Sequence, residues 1–107
     1  MHRDHVPTLP PSFHLLGTSP ISYNQAMIRF SSGTIPSTPL PPIHIITVQG
    51  HPEFTEPIIT SIIEQRVGVE PGQISPSTAA DAETRRFWKN DGVNVIGKAI
   101  WKVLLDK

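Results

Sequence analysis

The apolar positions change their period close to the middle of the chain. Ile43-His44-Ile45-Ile46-Thr47-Val48-Gln49 is the segment most like a strand: it is rich in β-branched residues, follows Pro41-Pro42 and stops at Gly50. Its near-continuous apolarity predicts a strand buried on both faces, as in a sheet covered by helices. Upstream, Phe13-His14-Leu15-Leu16-Gly17 and Gln25-Ala26-Met27-Ile28-Arg29-Phe30 predict two shorter strands in a loose antiparallel pair. Gly17-Thr18-Ser19-Pro20 and Ser31-Ser32-Gly33 supply the turn chemistry around them.

After Gly50 the pattern becomes helical. Pro57 suits a first turn, Ile58, Ile59, Ile62, Ile63 and Val67 recur at helical spacing, and Gly68 ends the run. Val69 to Pro76, with Pro71-Gly72 and Ser75-Pro76, reads as a loop. Thr78-Ala79-Ala80-Asp81 resembles a capping box opening a second helix that carries Phe87 and Trp88. Asn90-Asp91-Gly92 breaks it. A third helix places Val93, Ile96, Ile100, Val103 and Leu104 on one stripe. Trp88 and Trp101 are expected to anchor this helical layer against the sheet, and Arg85-Arg86 to be a solvated helix face. The order of elements predicts an α/β fold, and specifically the last part of an α/β sandwich. A strand buried on both faces needs neighbours that the chain does not supply.

Composition sharpens this picture. A chain of 107 residues has the size of one domain. Eight of its 12 prolines fall in the first 42 residues, where they disfavour helix, and residues 31–42 read as an exposed Pro/Ser/Thr loop. Nine basic residues balance nine acidic ones, which argues against non-specific binding to nucleic acid or to a membrane surface. There is no apolar run long enough for a membrane span and no secretory signal behind Met1, so a cytoplasmic location is expected. The absence of cysteine excludes disulfides, thiolate metal ligands and a thiol nucleophile within this chain.

The chemistry gathers directly after the strong strand, at Gly50-His51-Pro52-Glu53-Phe54-Thr55. Sites in α/β sheets form just beyond the carboxyl ends of strands. There, a carboxylate two residues from an imidazole can accept the proton of one ring nitrogen, fix the tautomer and leave the other nitrogen as a base. That is the base and orienter of a triad, and it calls for a nucleophile. Gln49-Gly50-His51-Pro52-Glu53-Phe54 resembles the His-Pro-Glu signature of class I glutamine amidotransferases, in which the motif ends a core strand and precedes a helix. Met1-His2-Arg3-Asp4-His5-Val6, with Leu9-Pro10-Pro11 shortly after, is similar to that family's segment whose main chain lines the glutamine pocket. Phe13 to Phe30 is similar to the strand pair that follows, and Asp91 to Leu105 to the closing helix.

The resemblance covers essentially the whole chain but only the C-terminal half of the family domain. It implies a doubly wound, flavodoxin-like sandwich of which residues 1–107 form a partial domain, and hydrolysis of the glutamine amide by a Cys-His-Glu triad in the complete domain. By position, His51 would be the base, Glu53 its orienter, and His2, Arg3 and Asp4 would offer main-chain contacts to glutamine. It implies no cofactor. The cysteine elbow and the glycine-rich oxyanion loop lie upstream in the family, and neither is present here. A shortened gene model, an alternative start and a degenerate copy all fit this departure. The expected partners are glutamine, a missing N-terminal half and an ammonia-accepting domain or subunit.

Plainer readings stand beside these. The His51 and Glu53 pair also suits a structural strand-to-helix turn, with Glu53 adding negative charge near a helix start. His2 and His5 have no third metal ligand near them in sequence, so no metal is expected. His14 and His44 read as surface or strand-face residues. Pro36-Ser37-Thr38-Pro39 reads as a solvated connection rather than a ligand for a proline-recognition domain. The alternative to an amidotransferase part is a non-catalytic remnant, a pseudoenzyme acting by protein interaction.

Overall fold

A computed structural model describes residues 4–32, 39–70 and 73–105. Three strands come first, β1 (His14–Gly17), β2 (Ala26–Phe30) and β3 (Ile43–Val48). Three helices follow, α1 (Glu56–Arg66), α2 (Pro76–Arg85) and α3 (Gly92–Leu105). The fold class is thus mixed α and β, with the strands in one antiparallel sheet of order β1-β2-β3. The chain divides into two compact units, residues 1–51 with 92–107, and residues 52–91.

The sheet and α3 make the first unit. Its core is the central strand: Met27, Ile28 and Phe30 are buried, as the middle strand of three must be. Leu16 is the extra residue of a bulge that shifts the β1–β2 register, and it is exposed. A second bulge puts His44 out of step between Arg29↔Ile45 and Phe30↔Ile43. The connection from β1 to β2 closes on Ser19: its Oγ donates to the Ser22 carbonyl at 3.1 Å and accepts from Gln25 Nε2 at 2.9 Å. Asn24, buried beside it, donates to the Met27 sulfur at 3.4 Å. The turn before β1 holds Ser12 at a φ of 68°, with Phe13 N donating to the Pro10 carbonyl.

Two expectations fail in this unit. Among the described residues β3 is an edge strand paired only with β2, and none of its six residues is buried; His44 and Thr47 are exposed. A run of β-branched residues suits an edge strand lying against one helix as well as a central strand between two layers. On α3, Ile96 and Val103 are half-buried, but Val93, Ile100 and Leu104 are exposed, and Trp101 is 63% exposed. At that exposure Trp101 is not the anchor of α3 against the sheet that its size suggests. The loop expected at 31–42 is exposed at Ser31, Ser32 and Leu40; residues 33–38 lie outside the described residues.

The second unit holds α1 and α2. Pro57 lies in the first turn of α1, Arg66 in the last, and Gly68 takes a φ of +73° just beyond the C-cap, a conformation that favours glycine. Ile63 is buried, as is Ile74, whose amide donates to the Arg66 carbonyl at 2.9 Å. α2 starts earlier than expected. Ser75 is its N-cap and accepts from Thr78 N, with Pro76 at the first helical position, so Ser75-Pro76 is a helix start rather than loop.

Arg86 is likewise no solvated residue. Its side chain is 23% exposed and reaches from the end of α2 to α1, where Nη1 donates to Thr60 Oγ1 at 3.0 Å and lies 3.7 Å from Glu56. Nε sits 2.9 Å from Glu83 Oε2, close enough for an ion pair though not aligned as a hydrogen bond. The guanidinium also lies over the Phe87 ring at 4.6 Å. Trp88, by contrast, is 70% exposed, so neither tryptophan packs as expected. Arg86→Ala is expected to lower the stability of this unit by about 1–2 kcal/mol, discounted for the partial exposure of the pair, as read by urea unfolding. Arg85→Ala, which removes only the exposed pair with Asp81, should cost less than about 0.5 kcal/mol. Equal costs would show that the link to α1 contributes nothing.

Candidate functional site

β3 delivers the chain to the candidate site. The ladder runs one residue past the strand: Gln49 N donates to the Gln25 carbonyl at 2.8 Å. Gly50 follows with no neighbouring atom crowding its Cα, so no close approach demands a glycine there. His51 is then the last residue of the first unit, and its side chain is exposed. Glu53 lies in the second unit, also exposed, in the turn that leads to Thr55 and the start of α1.

Two side chains hold the main chain on either side of this motif. In the first unit, Gln49 Nε2 donates to the Asp4 carbonyl at 3.1 Å, across 45 residues of sequence. This brings the backbone at Asp4 to the end of β3. In the second unit, Asn90 Nδ2 donates to the carbonyls of Pro52 at 3.3 Å and Phe54 at 2.7 Å. These carbonyls belong to the residues before and after Glu53, so Asn90 holds the backbone on both sides of it.

Of the predicted site residues, Asp4, His51 and Glu53 are described and all three are exposed; His2 and Arg3 lie outside the described residues. Gln49 and Asn90 are the residues that sequence reasoning missed. Gln49 was visible only as the first residue of the motif, and Asn90 only as part of a helix-breaking Asn-Asp-Gly. His14 sits on β1 with its ring 5.6 Å from that of Phe30, part of the sheet rather than of the site. His44 is exposed at the β3 bulge.

A separate groove of about 410 Å³ lies in the first unit between β3 and α3, lined by His44, Ile45, Ile46, Ile100, Val103 and Leu104. Its lining is apolar apart from one imidazole, and it does not include His51. Among the described residues, no group of three or more His, Asp or Glu side chains could hold a metal ion, and no helix is long and apolar enough to cross a membrane. Comparison with protein-family models, with curated proteins and with solved structures finds no match to this chain.

Proposed function

We propose that this chain is the His- and Glu-bearing part of a glutamine amide hydrolase of the class I amidotransferase type, acting with a cysteine on polypeptide outside the 107 residues. In this reading Glu53 accepts a hydrogen bond from one His51 ring N–H and stabilises the imidazolium formed when the other ring nitrogen takes the proton of the thiol. The resulting thiolate attacks the side-chain amide carbon of glutamine. The imidazolium then returns its proton to the departing nitrogen, which leaves as ammonia, and water hydrolyses the thioester to glutamate. The main chain of the Met1–Asp4 segment would contact the bound glutamine. The three-stranded sheet would be part of a larger doubly wound sandwich.

The observation that carries this reading is the bond from Gln49 to the Asp4 carbonyl. It joins Asp4, the one described residue of the Met1–Asp4 segment that the resemblance gives to glutamine binding, to the strand end that bears His51, two residues on. A purely local strand-to-helix turn has no need of a tether to a point 45 residues away.

The test starts in the reading frame upstream of Met1, which should encode a Gly-x-Cys-x-Gly elbow. Co-expression of that segment with this chain should yield glutaminase activity, lowered about 10³-fold or more by His51→Ala. This chain alone, and its His51→Ala variant, should be equally inactive. Stop codons or unrelated sequence upstream would instead leave the second reading, a non-catalytic interaction module. That alternative is favoured by the missing cysteine and by the exposure of Phe87, Trp88 and Trp101.

A further inference from the structure

The free edge of β3 can be mapped group by group. In an antiparallel ladder, residues whose N–H and C=O face the neighbouring strand alternate with residues whose groups face away. Gln49 N bonds to Gln25, and the register continues as Thr47↔Met27 and Ile45↔Arg29. Gln49, Thr47 and Ile45 therefore face β2, while Ile46 and Val48 direct their N–H and C=O to the other side. No described strand pairs there, and no other described backbone group bonds to either residue.

This edge also lacks the features that normally protect one. Ile43–Val48 contains no charged residue and no proline, and its bulge lies at His44, leaving residues 45–48 regular. The opposite edge is guarded: β1 has four residues, is broken by its own bulge and follows Pro10-Pro11.

We propose that β3 pairs antiparallel with β3 of a second copy about a two-fold axis, extending the two sheets into one of six strands. Ile46 lies opposite Val48 of the partner subunit, and Val48 opposite Ile46 of the partner subunit. Each of these pairs exchanges both of its hydrogen bonds, so all four outward groups on each copy are used. Thr47 faces Thr47 of the partner subunit on the axis as a non-hydrogen-bonded pair, where Cβ atoms approach to about 5 Å and threonines pair well.

A second copy suits the edge because the pattern is self-complementary: two outward residues of the same strand, two apart, satisfy each other when one strand is reversed. Charge also permits it. The chain has a formal net charge of zero, so two copies do not repel. The apolar groove flanks the same strand, with Ile100 and Leu104 43% and 52% exposed, so an added strand joins the sheet beside uncovered apolar surface. The proposal concerns this 107-residue chain by itself and needs no role for His51 or Glu53; further polypeptide that continued the sheet past β3 would take the same edge in place of the second copy.

Sedimentation equilibrium of the full chain should show a dimer. Thr47→Lys and Thr47→Glu, each placing like charges face to face on the axis, should each weaken association at least about tenfold, and an equal mixture of the two should restore it. Val48→Pro deletes an outward N–H without touching a bond to β2, so it should weaken the dimer by a similar factor with circular dichroism unchanged. The proposal is overturned if the parent chain is a monomer, if Val48→Pro folds and still dimerises with undiminished affinity, or if the Lys and Glu variants fail to associate when mixed.

Discussion

Phe30→Ala will lower the free energy of unfolding by about 3 kcal/mol, the lower end of the usual cost for removing a buried phenylalanine. Phe30 is 6% exposed on the central strand, opposite Ile43 and beside the ring of His14. The lower end applies because the core is thin: among the described residues no large side chain is fully buried, so water can enter part of the space left behind. Against the roughly 5–15 kcal/mol that holds most domains together, this is a large share, and the midpoint of thermal unfolding should fall by more than about 10 °C. Circular dichroism is the appropriate probe, since both tryptophans are exposed and their emission would change little. A loss below about 1 kcal/mol would mean that the sheet is not held by β2.

Ile63→Ala tests the second unit by the same logic. Ile63 is the only buried residue of α1, and with Ile74 it makes the apolar centre of residues 52–91 among those described. Its truncation is expected to cost about 2–4 kcal/mol, whereas Ile58→Ala, at a position already 41% exposed, should cost under about 1. Hydrogen exchange separates the two units: protection should fall across α1 and at Ile74 while the β2 amides keep theirs. Equal loss in β2 would show that the chain unfolds as one cooperative body.

The elements themselves were legible in the sequence because each carries its own period. The β-branched run at 43–48 and the isoleucine spacing at 58–63 place β3 and α1 to within a residue or two. The antiparallel pairing of β1 with β2 was legible too, from two short strands joined by turn chemistry. What failed was the surroundings of β3, of the tryptophans and of Arg86, which depend on neighbours distant in sequence. The apolarity of β3 is the same whether one layer covers it or two, so its edge position was invisible. Trp88 and Trp101 look like anchors by size, yet nothing in their spacing states what they face. Arg86 looked like a surface cation because Glu56 and Thr60 stand on another helix. The start of α2 was missed for a local reason: Ser75-Pro76 is turn chemistry and N-cap chemistry at once, and only the bond from Thr78 N decides between them. Of the candidate site, His51-Pro52-Glu53 was readable as a motif. The bond to Asp4 spans 45 residues, and the hold of Asn90 on Pro52 and Phe54 spans 38 and 36, beyond any local pattern.

The first unit is discontinuous, with residues 52–91 standing between β3 and the helix that lies beside it. On a ribosome this has a cost in time. β3 leaves the exit tunnel well before α3, and at about 5–20 residues per second the interval is several seconds. Throughout it, Ile45 and Ile46 lack their helical cover while Ile46 and Val48 already offer a bare main-chain edge. Nascent chains on one polysome are close neighbours with identical edges, so this interval is when a chaperone that shields extended apolar segments would matter most.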